Sequence, residues 1–422
     1  MTAQPPMLTG FRVLDFTQIV AGPTCTRILA ELGAEVIKVE LAPSGDRGRV
    51  AGYKPTDHRN SSQSTYNFQH NHSKKSFAMN FKDARSRELL TRMIPKVDVV
   101  VENFALGVMQ RAGLDYASLR KINPALVMCS ISLAGQSGPL SELPGYDYIG
   151  QSYAGVTGLI GEPDGSPAMF TMAIGDTSTG ISAAMAIGFA LVHRERTGEG
   201  QYIESTILDT YFSMHEVNVP RITIDGSDYV PKRTGSQRPD GGPAGIFHYR
   251  DGLYITLMVL PHQWPQLVAA MGKPELLTDP RFISGRSRRD NNAAIQTIIE
   301  EWLATFPTRD AALAALEAQR VPCAPVLSLH DVVKHPHLRE RGTIRHVEDP
   351  LLGGFDIPGL PVKFSRWPDR RDLKADLLGE HNEEVLQSVL GLGVDEIKDL
   401  YAEGVLIRDP MLNNASAGKV TS

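Results

Sequence analysis

The chain has 422 residues, 42% of them hydrophobic and 22% charged, with a formal net charge of -5. That balance fits a globular chain of about two or three domains and excludes a nucleic-acid binder driven by overall positive charge. Cys25, Cys129 and Cys323 are too few and too scattered for a disulfide framework or a zinc site, so no metal is expected and a reducing cytoplasm is the simplest location.

Met1 to Leu8 lacks the charged and apolar regions of a signal peptide. The first clear unit is βαβ. Val13 to Phe16 is a short apolar run ending in Thr17-Gln18. Gly22-Pro23-Thr24 opens a helix through Leu32, with Gly33 in a C-cap position. Val36 to Glu40 is the next strand. Strand, helix and strand within about 30 residues predict a parallel crossover. No G-x-G-x-x-G lies in the first turn, so a dinucleotide site is not expected. Glu40 reads as a solvated strand end.

Ala84 to Ile94 reads as a helix, and Val97 to Glu102 and Leu126 to Ile131 as strands. A Gly-, Ser- and Pro-rich stretch, Leu133 to Pro144, follows. Thr177 or Ser178 is suited to cap a long helix that reaches Arg196 and stops at Gly198 and Gly200. Within it, the apolar run Ile181 to Val192 is too short to cross a bilayer, so no membrane partner is expected. Arg233 to Gly245 is polar and rich in Gly and Pro, a boundary or loop. Phe247 to Leu257 reads as a hairpin turned at Asp251-Gly252. Helices are expected at Trp264 to Met271, Asn292 to Leu303, Arg309 to Gln319 and Asn382 to Leu390. These elements predict an α/β chain: a large domain from 1–224 completed by a returning segment, 336–422, and a smaller α+β domain at 225–335.

One segment carries candidate chemistry. In Ile174-Gly175-Asp176-Thr177-Ser178-Thr179-Gly180 an aspartate lies between glycines at the start of the long helix. Helix N-termini present unpaired N–H groups and partial positive charge, which keep a carboxylate ionised. The plain alternative is an N-cap, for which Asp is a favoured residue.

Asp176 to Gly180, with His193-Arg194-Glu195-Arg196-Thr197-Gly198-Glu199-Gly200-Gln201, resembles the central signature of the class III CoA-transferases, the CaiB/BaiF family that includes formyl-CoA and carnitine CoA-transferases. Further matches follow in order along nearly the whole chain. They are Leu14-Asp15-Phe16-Thr17 with Ala21-Gly22-Pro23, then Gly33 to Glu40, Val101 to Phe104, Gly145-Tyr146-Asp147, Pro322 to Val326, and Leu378-Gly379-Glu380-His381. The resemblance implies a Rossmann-like large domain, an interlocked homodimer, and coenzyme A or acyl-CoA as substrate with no tightly bound cofactor. It also implies Asp176 as a covalent nucleophile that carries CoA as an aspartyl thioester. Backbone N–H groups near Gln18, Val20 and Ala21, and at the start of the Asp176 helix, would then serve the oxyanions.

By the same resemblance, Met79, Asn80 and Lys82 would hold the adenosine end of CoA. Lys74 and Lys75 would assist, or stand as a solvated pair. Asn103, Phe104 and Arg111 match a further CoA-binding stretch, and Gly145, Tyr146 and Asp147 match residues beside the pantetheine arm and acyl group. The mobile tetraglycine loop of formyl-CoA transferases is reduced to Asp240-Gly241-Gly242-Pro243. Val20 replaces a glutamine and Pro144 a lysine, which argues against formate and oxalate. An α-methylacyl-CoA racemase would need a histidine and a glutamate where Tyr146 and Pro261 stand. A non-catalytic CoA-binding protein is the remaining alternative. No G-x-S-x-G elbow supports a serine hydrolase.

Overall fold

The computed structural model describes residues 5–54, 61–238, 242–367 and 373–417. The chain divides into two compact units. One comprises Met1–Val156, Phe170–Val219 and Pro336–Ser422, the other Thr157–Met169 and Pro220–His335.

The first unit is built on six parallel strands: β1 (Arg12–Asp15), β2 (Glu35–Leu41), β3 (Lys75–Met79), β4 (Val99–Glu102), β5 (Val127–Ser132) and β6 (Tyr202–Thr206). Their order is β3-β2-β1-β4-β5-β6, the doubly wound arrangement whose ligand crevice opens where the order reverses, between β1 and β4. The helices between them are α1 (Ala21–Glu31), α2 (Thr65–Asn71), α3 (Ala84–Met93), α4 (Val108–Ala112), α5 (Tyr116–Leu119), α6 (Asp147–Tyr153) and α7 (Ile174–Thr197). After β6 the chain enters α8 (Ile207–Ser213).

Alternation along the strands builds two cores. Val13, Val36, Val99, Val101 and Val127 face α1 and α7 on one side. Leu14, Ile37, Val39, Val100 and Met128 face α3 and the C-terminal segment on the other. Burial on both faces is what an all-parallel sheet requires. α1 ends at Leu32 and turns through Gly33 at φ 102°. A Cβ there would lie 2.1 Å from Pro6 Cβ, so only glycine fits.

The second unit holds α9 (Asn218–Asp225), which begins just before its boundary, and the antiparallel strands β7 (Ala244–His248), β8 (Tyr254–Met258) and β9 (Cys323–Pro325). The β7–β8 turn runs through Asp251 and Gly252, both at positive φ (53° and 73°). One sheet face packs on α10 (Trp264–Met271), α12 (Asn292–Leu303) and α13 (Arg309–Ala318); α11 (Gly285–Asp290) and α14 (Leu329–Val332) complete the unit.

Pro336 onward returns to the first unit through α15 (Pro336–Glu340) and a hairpin the sequence did not announce, β10 (Ile344–Asp349) and β11 (Gly353–Pro358). Then come α16 (Asn382–Val385), continued by a π turn over Leu386–Leu390, α17 (Val394–Ala402) and α18 (Pro410–Ala417). The segment extends the sheet beyond β3. Asn80 N–H donates to Val405 O at 2.8 Å and Ile407 N–H to Ala78 O at 3.1 Å.

Three sequence expectations are corrected here. The long helix starts at Ile174, before Thr177 and Ser178, with Ala173 as an N-cap that offers no side-chain cap; other elements supply that function, as described below. Glu40 is not solvated. It is 2% exposed, takes two hydrogen bonds from Arg49 (2.6 and 2.5 Å) and one from Ser76 (2.7 Å). Lys74 is also interior, donating to Asp15 at 3.0 Å and Asn71 at 2.9 Å, so it is not one of a solvated pair. Burial lowers its pKa to about 8, opposed by Asp15.

Candidate active site

The crevice between β1 and β4 is closed at its floor by one amide. Asn103, after β4, accepts the Gln18 N–H through Oδ1 and donates to the Gln18 carbonyl through Nδ2, both at 2.8 Å. Ile19 follows in a left-handed conformation (φ 74°), and its N–H donates to Asp46 Oδ1 at 3.1 Å. Lys38 pairs with the other oxygen of Asp46 at 2.9 Å, and holds that carboxyl well below the usual range against the opposing effect of burial. Asp15 ties the same loop from beneath, accepting from Thr17 N–H (2.9 Å) and Thr26 Oγ1 (2.6 Å). Val20 and Ala21 are buried at the start of α1. Phe104 packs on Phe81 at 6.5 Å between ring centroids, and its N–H donates to Glu102 at 2.8 Å.

α7 meets α1 at this point without a side chain between them. A Cβ on Gly180 would lie 2.4 Å from Ala21 O and 2.8 Å from Thr24 Cβ. One turn earlier, Asp176 occupies the first turn of α7. Its N–H donates to Asp147 Oδ2 at 2.9 Å. Tyr211 donates to Asp147 Oδ1 at 2.6 Å and accepts the Gly175 N–H at 3.0 Å. Asp147, in the first turn of α6, and Tyr211, on α8, therefore cap α7 from outside.

This environment overturns the expectation that the helix start keeps Asp176 readily ionised. Burial first, and the Asp147 charge second, push its pKa up to about 7. Tyr66 on α2 also feels Asp176. Burial, then Asp176 and Asp46, push its phenol up to about 12. Its ring lies 4.7 Å from that of His70, centroid to centroid.

The expected oxyanion donors are largely engaged. The N–H groups of Gln18, Ile19, Gly175 and Asp176 have the partners given above, and Thr177 N–H donates to Ala173 O at 3.0 Å.

Asn80 and Lys82 line a cleft of about 1000 Å³ with Leu41 to Ser44, Lys54, Ser62 and Arg408, large enough for a sizeable ligand. Met79 does not join them. Its side chain is 0% exposed in the core beneath the sheet, because β3 alternates and position 79 faces inward; it is corrected from contact to core residue. Arg111 is exposed on α4 and folds back over Gly107, where a Cβ would lie 2.7 Å from its Nη1. Gly145 lies flush on Leu133, with room for no Cβ (2.2 Å to Leu133 Cδ2). Tyr146 is 65% exposed at the start of α6. Gly242 is buried in the second unit, where a Cβ would lie 1.8 Å from Val259 O; Gly241 lies outside the described residues.

The family model for CoA-transferase family III matches residues 8–382. The chain belongs to this family. It is 32% identical to a formyl-CoA:oxalate CoA-transferase of Bradyrhizobium diazoefficiens, across 94% of this chain and 97% of that protein. It is 31% identical to a succinyl-CoA--D-citramalate CoA-transferase of Chloroflexus aurantiacus, across 95% and 98%. A solved CaiB/BaiF family protein from Brucella suis superposes with a TM-score of 0.78 at 32% identity, covering 92% of this chain and all of that one.

In this class III CoA-transferase, sequence reasoning passed over Asp46, Tyr66 and Tyr211. Asp46 follows Pro43-Ser44-Gly45 and reads as a turn acid. Tyr66 sits in a short polar helix. Tyr211 is 35 residues from Asp176, and nothing in its local pattern ties it to that helix. Only the DFT run around Asp15 carried a signal, and there the aspartate supports the loop from below.

Proposed function

We propose that the protein exchanges CoA between two carboxylic acids with Asp176 as the covalent carrier. The observation that carries this reading is the half-buried Asp176 carboxyl at the start of α7, beside the β1–β4 crevice, with its pKa near 7. A carboxyl that titrates there is ionised in a substantial fraction at neutral pH, and is more nucleophilic than one of ordinary acidity.

A carboxylate oxygen of Asp176 attacks the acyl carbon of the donor thioester. The C–S bond breaks and CoA thiolate leaves, giving a mixed anhydride. The thiolate then attacks Cγ of Asp176, the donor carboxylate departs, and an aspartyl-CoA thioester remains. The acceptor carboxylate attacks that Cγ and expels CoA thiolate. Finally the thiolate attacks the acceptor's acyl carbon and frees Asp176. No net proton moves, so the site needs charge stabilisation more than acid–base relay. Tyr146, exposed and phenolic, gives no support to α-proton chemistry.

Asn80 and Lys82 would receive the adenosine and phosphate end of CoA in their cleft. Gln18, Val20, Ala21, Asn103, Phe104 and Arg111 would flank its arm, and Gly145, Tyr146 and Asp147 the acyl end. Buried Val20 favours an acyl group other than formyl or oxalyl. A second copy is proposed to cover the outward face of α7, where Ile181 (39% exposed), Met185 (56%), Phe189 (68%) and Val192 (50%) form one apolar stripe. Sedimentation as a stable monomer would remove that dimer.

The chemistry is tested by mixing the enzyme with acetyl-, succinyl- or isobutyryl-CoA, quenching with hydroxylamine or borohydride, and mapping the adduct by mass spectrometry. Label on Asp176 is expected. Label elsewhere, with full activity in Asp176→Ala, would sink the reading.

A further inference from the structure

We infer that Tyr211 is a positioning residue for the nucleophile, holding Asp147 and the first turn of α7 in one fixed arrangement. The inference rests on the proposed role of Asp176 and concerns how that group is held.

Tyr211 is 2% exposed, and its single hydroxyl serves three groups. It donates to Asp147 Oδ1 at 2.6 Å, accepts the Gly175 N–H at 3.0 Å, and accepts from Gln151 Nε2 at 3.3 Å. Asp147 uses its other oxygen for the Asp176 N–H at 2.9 Å. The phenol thus closes a ring of hydrogen bonds, Gly175 N–H to Tyr211 to Asp147 to Asp176 N–H, around two consecutive peptide groups. Neither the orientation of Asp147 nor the start of α7 can change without breaking it.

The ring of Tyr211 fixes the same place by contact. A Cβ on Gly175 would lie 2.2 Å from Tyr211 Cε2 and 2.8 Å from its Cζ. The glycine before the nucleophile is therefore the seat of this tyrosine. Burial first, and the hydrogen bond to Asp147 next, push the phenol up to about 12. It remains a protonated donor wherever the enzyme works. Asp147 also sets the charge beside Asp176. Its angle therefore controls both where the nucleophile points and what field it feels. Misplacement of a reacting group by about 1 Å costs on the order of a hundredfold in rate.

The test compares wild type, Tyr211→Phe, Asp147→Asn and the double variant. Phe keeps the ring against Gly175, so the fold is retained, which circular dichroism and melting verify. Acetyl-, succinyl- and isobutyryl-CoA are the acyl probes, and CoA alone is titrated by calorimetry. In Tyr211→Phe, kcat and the single-turnover rate of Asp176 labelling fall about tenfold to a hundredfold. KM and the CoA dissociation constant stay within about threefold, because the CoA cleft is untouched. In the Asp147→Asn background, Tyr211→Phe costs less than about threefold more, since the two act through one link. An unchanged kcat in Tyr211→Phe, a matching loss of CoA affinity, or fully multiplicative losses in the double variant would each overturn the inference. Wild type that labels at a residue other than Asp176 defeats the proposed mechanism itself, and this inference with it. Wild type labelled at Asp176 with an unimpaired Tyr211→Phe defeats only the role of Tyr211.

Discussion

The carboxylate of Asp147 accepts the backbone N–H of Asp176 at 2.9 Å. One contact therefore does two opposed things. It satisfies a peptide group at the start of α7, and it places a negative charge beside the Asp176 carboxyl, which resists ionisation there. The expected consequences concern pH, stability and binding.

The first concerns pH. In the proposed mechanism Asp176 must be ionised to attack, and burial with the Asp147 charge pushes its pKa up to about 7. The kcat/KM for acyl-CoA should rise with pH through about 7 and level off above it, since this ratio reports the free enzyme. Asp147→Asn removes the smaller of the two causes and should move the rise to lower pH. Burial remains, so it should not return to the 3.8 of an ordinary aspartate. A rise below pH 5 in wild type contradicts this.

Stability should respond in the opposite sense. The folded pKa of Asp176 lies above its ordinary value, so the folded chain binds that proton more tightly than the unfolded chain. That contribution is complete below about pH 4 and is lost as pH rises to about 7. Asp176→Asn should therefore stabilise the protein at pH 8, by about 1–3 kcal/mol after allowance for the group's partial exposure, and leave it little changed near pH 3.5. Exchange activity should fall at least about a thousandfold. Melting curves at the two pH values check the first part and CoA-exchange assays the second.

The α1–α7 crossing should tolerate no added carbon. Gly180→Ala places a Cβ 2.4 Å from Ala21 O, and backbone cannot yield as a flexible side chain does. The expected cost is about 1–3 kcal/mol, read by chemical denaturation. Activity should fall as well, because the displaced turn carries Asp176.

Lys82 and Met79 separate two readings of one stretch. Lys82→Ala should raise KM for acyl-CoA about fivefold with kcat nearly unchanged, and lessen its dependence on salt. Met79→Leu should leave KM alone and change stability by less than about 1.5 kcal/mol, as a near-isosteric change in a core.

What the sequence made legible follows from what local pattern can encode. The βαβ start, the Gly33 and Gly198 stops and the Asp251-Gly252 turn are local, and they appear where expected. Trp264–Met271 and Asn292–Leu303 match the helical pattern residue for residue. β3 was missed as a strand because Lys-Ser-Phe-Ala-Met carries a buried Ser and a half-buried Lys where a strand buried on both faces should be continuously apolar. Glu40 and Lys74 read as solvent-facing charges, yet both lie in the interior with Lys38 and Arg49. They are interior because each is paired, and pairing depends on residues up to dozens of positions away. Asp176 was singled out by motif. Its acidity was misjudged because the helix start was taken alone, without Asp147.

The C-terminal segment has a consequence for how the chain is made. β3 and the lower face of the sheet are synthesised early, yet Val385, Leu386, Val389 and Val405, which cover that face, and Leu406, which bridges Met79, come near the end. Leu378, Arg408 and Asp409, which line the cleft with Asn80 and Lys82, come equally late. Throughout translation of the intervening residues, the nascent sheet keeps an open strand edge and an apolar face that α3 covers only in part. Such surfaces invite pairing with other chains. A ribosome-bound or truncated chain ending before residue 378 should therefore depend on chaperones and lack the cleft, however well its first β-α-β unit has formed.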